Sequence, residues 1–429
     1  MKKRFVRVLT LPLAALLCLG VGTAFAQDDM EQRMQNLEER QGILATEFDR
    51  LRSLFVLPEE SDYKSAYGLG PAASKIYGRE RGLSLGGYGH TWLQRNIDTE
   101  SKSQWDYKRF ILYVGFKFSD KLLLNSELEW EHASTSDTGG GAGSVSVEFA
   151  TIDYLHAPEF NFRFGMLLVP FGFVNEIHEP PFYYGNQRPM VASQIIPTTW
   201  RENGFGFFGE LADGAVQYRL YTITSPDGSD FKSSNLRSSR QKGNRAKAED
   251  MSIVLRLDAT PKDGVLVGGS VLTGNTGHGG EYTDEKIKAD IALWMWEVHV
   301  QYQYRGLHLR ALYTEANIDD TDILSVHRGE GISDRLWGYY GEVAYDILPM
   351  MSPTTRMALE PFLRYERFNT QENVPAGFTP DEKRNQTVYT VGVNFYPHPN
   401  VVFKIDYRNF DSEGGDLDDD VNIGVGFTF

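Results

Sequence analysis

Apolar and polar residues alternate in segment after segment between residues 83 and 429, and this alternation constrains the fold more than any other feature of the chain. Within 421–429, Val, Ile or Phe takes every odd position and Asn, Gly or Thr takes every even one. The segment 294–304 places aromatic and aliphatic side chains on one face and mostly Glu, His and Gln on the other. A period of two residues is the period of a β-strand. The alternation therefore predicts strands that are apolar on one face and polar on the other.

Sixteen segments carry this pattern. Each is close to the length that a tilted strand needs to cross a bilayer, about nine to eleven residues. Antiparallel strands of this kind close into a barrel whose apolar face meets lipid and whose polar face lines a wet lumen. The segments are 83–95, 106–118, 121–132, 145–156, 160–169, 203–212, 215–224, 250–260, 264–273, 290–304, 307–316, 335–348, 357–368, 387–396, 400–410 and 421–429.

The connections between these segments alternate between short and long. The tight turns lie at 119–120, 213–214, 262–264, 305–306 and 397–399. The long links are 133–144, 170–202, 225–249, 274–289, 317–334, 369–386 and 411–420. Short turns at one end and long loops at the other are typical of outer-membrane barrels. We therefore predict an all-β fold, with a transmembrane antiparallel β-barrel of about 16 strands over residues 83–429, located in the bacterial outer membrane.

The first 26 residues have the parts of a secretory signal peptide. Basic residues come first, a short apolar run covers 9–21, and Ala24, Phe25 and Ala26 follow. The apolar run is too short for a membrane anchor, and we predict that residues 1–26 are cleaved off after Ala26. The single cysteine, Cys18, lies inside this segment, so the mature chain is predicted to have no disulfide.

Residues 27–57 show a different period. Apolar residues recur there at alternating spacings of four and three, with one polar interruption at Gln41, and Pro58 ends the pattern. This heptad pattern predicts a short periplasmic amphipathic helix. The helix either rests on its own protein or forms a parallel coiled coil of three subunits. A trimeric barrel would favour the coiled coil, because it would hold the three helices at a high effective concentration. Residues 58–82 are predicted to be a linker.

Charge and missing motifs argue against several functions. The net charge is −15, and loss of the signal peptide, which carries four basic residues and no acidic one, makes it −19. Such an acidic chain is not expected to bind nucleic acid. The sequence lacks the signatures of serine hydrolases, metalloproteases and nucleotide-binding enzymes, so we expect neither an enzyme nor a cofactor. The nine histidines are scattered along the chain, which predicts no metal site.

Alternation also predicts which charged side chains line the pore. Rings of arginine or lysine favour anions and rings of carboxylates favour cations, and both signs occur here. A mixed lumen whose charges pair with one another is the alternative to a selective filter. The predicted inward cations are Arg163, Arg219, Arg256, Arg310, Arg364, Lys404 and Arg408, and the predicted inward carboxylates include Glu127, Glu129 and Glu297.

The link 170–202 is rich in proline and aromatic residues, which is unusual for an exposed loop. Long ordered loops are usually functional. We predict that this loop folds into the barrel and narrows the pore. The alternative is a loop that packs over the rim or against a neighbouring subunit. Its candidate residues are Pro170, Phe171, Glu176, Glu179, Trp200 and Arg201.

The link 225–249 is a basic loop on an acidic protein. At an extracellular mouth such a loop would concentrate anions by focusing the electric field. Binding to the phosphates of lipopolysaccharide, or plain solvation, is an equally good interpretation. The basic residues of this predicted mouth are Lys232, Arg237, Arg240, Lys242, Arg245 and Lys247.

Short motifs spread over nearly all of the barrel resemble those of the phosphate-selective porin O and P family. They lie at 73–78, 116–122, 164–172, 196–204 and 397–400 and in the last strand. The resemblance implies a trimeric, sixteen-stranded outer-membrane porin with an inward-folded third loop. It also implies anion passage along a ladder of arginines below a lysine-rich mouth. Four arginines can be compared with this ladder, namely Arg163, Arg219, Arg256 and Arg310. The comparison rests only on the alternation, which turns their side chains inward.

The sequence thus predicts a homotrimeric porin for the passive diffusion of small hydrophilic solutes, with anions such as phosphate among the candidates. Its other partners would be the lipid and lipopolysaccharide of the outer membrane. The alternative hypothesis is a structural role, in which the barrel is an anchor and the N-terminal helix binds the cell wall or a periplasmic partner.

Overall fold

The computed structural model describes residues 32–43, 46, 65–135, 143–282 and 288–429. The chain divides into two units, residues 1–58 and 59–429. In the first unit, residues 32–43 and residue 46 are helical and exposed. They fall within the predicted helix 27–57, whose remaining residues lie outside the described part of the chain, as does the predicted signal peptide. The coiled coil stays a prediction.

The second unit contains a closed antiparallel β-barrel, which confirms the predicted fold class. Each strand pairs with its neighbours in sequence, and the first strand pairs with the last. Over the described residues the strands are β1 (Gly82–Asn96), β2 (Gln104–Lys117), β3 (Leu122–Glu131), β4 (Ser144–Ala157), β5 (Phe160–Leu168), β6 (Arg201–Leu211), β7 (Val216–Thr224), β8 (Met251–Lys262), β9 (Val265–Asn275), β10 (Ala292–Tyr304), β11 (Leu307–Ile318), β12 (Arg335–Tyr345), β13 (Ala358–Asn373), β14 (Asn385–His398), β15 (Val401–Ser412) and β16 (Asp420–Thr428).

The helical elements of this unit are short. The α-helices are α1 (Pro71–Ser74), α2 (Val191–Gln194), α3 (Thr321–Arg328) and α4 (Leu348–Met351). Single turns of 3₁₀-helix occur at Glu100–Lys102, Pro180–Phe182, Gly228–Asp230, Arg237–Ser239 and Glu382–Arg384. In the described part of the chain, no helix combines the length and the apolar character needed to cross a bilayer.

Burial along each strand follows the alternation seen in the sequence. In β8, Met251, Ile253 and Leu257 are exposed on the outer surface. Their neighbours Ser252 and Arg256 are buried inside the barrel. This order is the reverse of a water-soluble protein, because the outer surface faces lipid and the inner surface faces a polar lumen. Closure of the barrel pairs the backbone of every strand, as a hydrocarbon environment requires.

Two of the tight turns have the backbone conformation of a hairpin turn. Asp213 and Gly214 have φ of +54° and +87°, and Arg305 and Gly306 have φ of +48° and +82°. Positive φ at two successive residues belongs to the type I′ turn, whose twist matches that of a hairpin. Glycine adopts such angles at little cost, so these pairs set the register of β6 with β7 and of β10 with β11.

Several strands extend beyond their predicted ends, and β13 does so by the largest number of residues. The apolar pattern predicted an end near residue 368, whereas β13 continues to Asn373. The additional residues are polar, and Asn373 pairs with Arg335 of β12 beyond an irregularity in the register. Backbone pairing continues past the end of the apolar pattern because this part of the hairpin lies among the long loops, where the outer face no longer needs apolar side chains.

The described part of the predicted linker, residues 65–81, is a folded segment that packs on the inner face of the barrel. The amide of Asn125 donates a hydrogen bond to the Ala73 carbonyl over 2.9 Å. The hydroxyl of Tyr77 donates to Asp153 over 2.6 Å and accepts from Arg163 over 2.8 Å. Polar side chains of β3, β4 and β5 therefore hold the chain against the inner wall before it enters β1.

The pairing of β1 with β16 predicts a specific disulfide. Leu93 lies opposite Ile423, and both side chains point outward. Opposed residues in an antiparallel pair have Cβ atoms about 4.5–5.5 Å apart, close to the span of a disulfide. We expect the variant Leu93→Cys/Ile423→Cys to form a bond on oxidation, which is read as a change in mobility of the denatured chain on a non-reducing gel.

The matched control is Leu93→Cys/Val425→Cys. Val425 lies opposite Thr91 and is therefore a diagonal neighbour of Leu93 on the same face. Diagonal neighbours are about 7–8 Å apart, which is too far for a relaxed disulfide. Equal or better cross-linking of the control would contradict the register by which the barrel closes.

Candidate functional site

A long loop between β5 and β6, residues 169–200 and here named the constriction loop, folds into the lumen rather than over the rim. It reaches the opposite wall, where the ammonium of Lys404 donates to the carbonyls of Tyr183 and Gly185 over 2.7 and 2.8 Å. Arg364 donates to the Tyr184 carbonyl over 3.1 Å. The inward side chains of β13 and β15 thus satisfy backbone groups that the loop would otherwise bury without partners.

The two ends of the constriction loop are joined by one side chain. The amide nitrogen of Asn175 donates to the carbonyls of Val169 and Trp200 over 2.6 and 2.9 Å. Its amide oxygen accepts from the backbone nitrogen of Trp200 over 2.6 Å. Trp200 is fully buried and packs near Phe171, whose ring centroid lies 6.2 Å away. These contacts fix the direction in which the loop enters the barrel.

The apolar residues of this loop form part of a core inside the barrel. Phe171, Ile195, Ile196 and Trp200 belong to a buried cluster together with inward side chains of β6 to β14. The cluster also includes residues of the loop 225–249. Burial of apolar area stabilises such packing by about 25 cal/mol per Å². Pro170, predicted at the start of the loop, is buried as well.

Several of the predicted inward cations hold other protein groups and do not face open water. Arg163 forms a bidentate ion pair with Asp153, in which Nε and Nη2 donate to the two carboxylate oxygens over 2.9 and 2.8 Å. Arg408 pairs with Asp420 on the neighbouring strand. Arg364 lies 3.1 Å from both Glu342 and Glu366. Their charges are neutralised within the wall, so these side chains support the barrel and the constriction loop.

The predicted carboxylates are also inward and buried. Glu297 accepts from Ser270 over 2.6 Å and lies 2.8 Å from His299. Glu127 and Glu129, both on β3, lie against the constriction loop and against Arg109 of β2 respectively. A buried carboxylate that is paired in this way contributes less to ion selectivity than one that is open to the lumen.

A cavity of about 500 Å³ lies on the short-turn side of the constriction loop. Arg219, Arg256 and Arg310 line it together with Glu176 and other groups. Arg219 lies 3.2 Å from Glu176, and Arg256 lies 2.8 Å from Asp258. Burial raises the pKa of Glu176, against the opposing effect of the two nearby arginines. Positive and negative groups are therefore interleaved in this cavity.

A second cavity, of about 490 Å³, lies on the long-loop side and is here named the outer vestibule. Its two sides differ in sign. Glu129, Glu131 and Glu148 line one side. The basic side is formed by residues of β6 and of the predicted basic mouth, namely Arg201, Arg237, Arg240 and Lys242. The two sides meet where Arg201 pairs with Glu148 over 2.7 Å.

The basic mouth and the constriction loop form one assembly. Arg237 donates to the carbonyl of Thr198 in the constriction loop. Arg240 donates to the carbonyls of Thr198 and Thr199 over 3.1 and 2.7 Å. The backbone nitrogen of Leu236 donates to the Gln194 carbonyl over 3.0 Å. Arg237 and Arg240 of the predicted mouth are thus held against the constriction loop.

The charges of Arg237 and Arg240 are not neutralised by a carboxylate. Among the described residues, no carboxylate lies within 4 Å of either guanidinium. Removal from bulk water and the nearby cations Arg188 and Arg109 lower the pKa of Arg237 to about 10. Removal from water and Arg237 itself lower the pKa of Arg240 to about 9. Both groups stay charged at neutral pH, and an anion beside the partly buried Arg240 would offset the free-energy cost of removing its charge from water.

The remaining residues of the basic loop lie elsewhere. Lys247 pairs with Asp227 over 2.6 Å. Lys232 and Arg245 are exposed and do not line the outer vestibule.

The sequence did not predict that Arg109 and Arg188 lie near Arg237. Alternation through β2 does turn Arg109 inward, but the apolar Ile111 on the same face obscured the pattern, and a loop residue such as Arg188 has no periodicity to reveal it.

Loss of a single anchor is predicted to loosen the constriction loop. In Lys404→Gln the two ends of the loop stay joined by Asn175, but the loop loses the ammonium group that donates to two of its carbonyls. We expect a larger single-channel conductance with more frequent transitions in planar bilayers. The control is Lys117→Gln, a buried lysine that donates over 2.6 Å to the Arg79 carbonyl, outside the loop. An unchanged conductance in Lys404→Gln would contradict the anchoring role.

Sequence comparison agrees with this architecture. The profile of the family described as phosphate-selective porin O and P matches residues 92–422. An uncharacterised protein of Aquifex aeolicus is 36% identical over 372 residues, which is 84% of this chain and 82% of that one.

Solved outer-membrane barrels share the fold. OmpF of Salmonella typhi, solved in complex with daunomycin, gives a TM-score of 0.56 at 14% identity over 82% of this chain and 99% of that one. The anion-selective porin from Comamonas acidovorans gives 0.53 at 10% identity over 82% and 100%. The outer membrane channel DcaP of Acinetobacter baumannii gives 0.53 at 13% identity over 81% and 97%. Family and fold indicate a channel, and the chain belongs to the phosphate-selective porin O and P family of outer-membrane porins.

Proposed function

We propose that this porin passes small hydrophilic anions, phosphate among them, by passive diffusion. The observation that carries the proposal is the cationic side of the outer vestibule, where Arg237 and Arg240 stand above the constriction loop without a carboxylate partner among the described residues. Most of the other inward arginines are paired and contribute little net field. Selectivity therefore depends on the few cations that are free to meet a solute.

The total charge of −19 in the mature chain does not oppose this proposal. Screening in physiological salt limits the reach of an exposed charge to about 8 Å, so a solute in the vestibule responds to the groups that surround it. Low-dielectric walls strengthen the field of these groups inside a narrow cavity. Glu129 and Glu148 on the other side are paired with Arg109 and Arg201, so they oppose the entry of an anion only weakly.

Phosphate fits this chemistry because guanidinium groups recognise its oxygens with paired hydrogen bonds. Arg240 already uses Nη1 and Nε for loop carbonyls, and its Nη2 has no hydrogen-bond partner among the described residues. Lys242 lines the same surface and is exposed. An anion at this place would be held by more than one donor while remaining in water, which suits binding that is weak enough for release.

Three further features are part of the same proposal. The signal peptide is cleaved after Ala26, the barrel assembles as a homotrimer in contact with lipid and lipopolysaccharide, and residues 27–57 form a periplasmic coiled coil. The heptad pattern and the family resemblance support them. Deletion of residues 27–57 distinguishes an assembly role of this segment from a role as a tether to the cell wall or a periplasmic partner. Loss of the trimer, measured by its mass, indicates that the segment is needed for assembly. Intact channels in cells with a weakened envelope indicate a tether.

The arginine pair is tested by Arg237→Ala/Arg240→Ala. An anion about 4 Å from a cation gains about 1 kcal/mol even in water, so loss of two arginines is expected to lower the anion-to-cation permeability ratio by about thirtyfold. The concentration of phosphate that halves the chloride current should rise in parallel. Both quantities are measured in planar bilayers.

The matched control is Lys232→Ala/Arg245→Ala. It removes two positive charges from the same loop at exposed positions outside the outer vestibule. The proposal expects a small change here. A fall in selectivity as large as that of the arginine pair would assign the effect to the general charge of the loop, and no fall in either variant would refute an anion path along these arginines.

A further inference from the structure

Three buried side chains meet where the constriction loop touches the wall of the barrel. They are Glu127 of β3, Glu148 of β4 and His178 of the loop, and each side chain is at most 1% exposed. One nitrogen or oxygen atom of each lies within 4.8 Å of the others. Histidine and glutamate are both common ligands of zinc, and three protein ligands with one open position form a frequent zinc site.

The distances fit metal coordination better than hydrogen bonding. His178 Nε2 lies 3.4 Å from Glu127 Oε1 and 3.3 Å from Glu148 Oε2. A charge-assisted hydrogen bond is about 2.7–2.9 Å long. In a tetrahedral zinc site with bonds of about 2.0–2.1 Å, neighbouring ligand atoms are about 3.3 Å apart.

A second buried histidine of the lumen shows the contrast. His299 lies 2.8 Å from Glu297 and 2.9 Å from Asp258, one carboxylate at each ring nitrogen. These are ordinary hydrogen-bond lengths. At His178 both carboxylates instead approach the same ring nitrogen from a greater distance, as two ligands of one cation would.

The orientation of His178 is fixed from its other side. Its Nδ1 lies 2.8 Å from the carbonyl of Asn175 and donates a hydrogen bond to it. A histidine that binds a metal usually donates its second ring nitrogen to a carbonyl or carboxylate in this way. Asn175 also joins the two ends of the constriction loop through its side chain. The same residue therefore orients the imidazole of His178 and holds the ends of the loop together.

Negative charge around the three side chains is only partly compensated. Arg201 lies 2.7 Å from Glu148 Oε1, but Glu148 Oε2 and Glu127 Oε2 have no hydrogen-bond partner in the described structure. Both oxygens of Glu179, which is 1% exposed, are also without one. Buried carboxylate oxygens in such a position require either protons or a cation.

We propose that Glu127, Glu148 and His178 bind a divalent cation of the zinc type, which ties the constriction loop to the wall formed by β3 and β4. Glu148 also lines the outer vestibule, and this gives the ion a path of entry. The bound cation neutralises part of the acidic side of the vestibule. This inference does not depend on the proposed anion selectivity, because zinc binding is measured separately from ion permeability.

A proton competes with the metal for His178. Burial by itself would lower the pKa of this imidazole, but the carboxylates of Glu127 and Glu148 overcome that effect and raise it to about 10. Zinc has to displace this proton, as metals do at other histidine ligands. The alternative to the metal site is therefore an imidazolium that bridges the two glutamates permanently.

The experiment measures zinc binding to the folded, purified porin. We expect one zinc ion per chain by titration with zinc chloride, and an X-ray absorption spectrum with one imidazole and oxygen ligands at about 2.0–2.1 Å. His178→Ala should weaken binding by more than the roughly tenfold to hundredfold loss that follows removal of an outer hydrogen-bond partner. Electrophoretic mobility without heating verifies that each variant is folded.

The matched control is His299→Ala, which removes another buried lumen histidine and should leave zinc binding unchanged. Glu148→Gln serves as a second ligand variant if His178→Ala does not fold. Absence of zinc binding to the wild-type protein, or a zinc spectrum without imidazole, would overturn the proposal and leave the bridging imidazolium. Equal loss of binding in His178→Ala and His299→Ala would overturn it as well.

Discussion

The architecture depends on one constraint, namely that a loop of about thirty residues is buried inside the barrel and its backbone polar groups must find partners there. The barrel wall supplies them. Lys404 and Arg364 donate to loop carbonyls, and Asp406 accepts from the backbone nitrogen of Asn186 over 2.7 Å. An unsatisfied buried group costs about 1–3 kcal/mol, so these side chains decide whether the loop can lie in the lumen at all.

This constraint divides the inward charges into two classes. Arginines and lysines of the wall that pair with carboxylates or hold the loop, such as Arg163 and Lys404, are structural. Arg237 and Arg240 are carried by a second loop onto the top of the constriction loop, where they bind carbonyls and keep their net charge. A pore can thus contain many arginines and acquire its selectivity from only a few of them.

The strands and the positions of the long loops could be predicted from the sequence because both follow from a local period of two residues. Inward orientation of Arg219 or Glu127 follows from the same rule. The partners of these side chains do not, since pairing depends on the height of each residue in the barrel and on the path of the loops. Folding of residues 65–81 against the inner wall also escaped prediction, because the contacts of Tyr77 are with strands far along the chain.

The cluster around His178 shows the same limit. Its members lie on two strands and a loop, at positions 127, 148 and 178, so no short spacing marks them as a group. The alternation of β3 and β4 turns Glu127 and Glu148 inward, but only the inward path of the constriction loop brings the histidine close to both. Chemistry that forms at contacts between a loop and the wall is invisible to periodicity.

The central claim is that the cations above the constriction loop, and not the acidic total of the chain, set the selectivity of the pore. The most direct test is the zero-current potential of the purified wild-type porin in a planar bilayer under a KCl gradient. The account predicts a potential whose sign shows preference for chloride, with a current that phosphate reduces. A potential near zero or one that shows preference for potassium would contradict it.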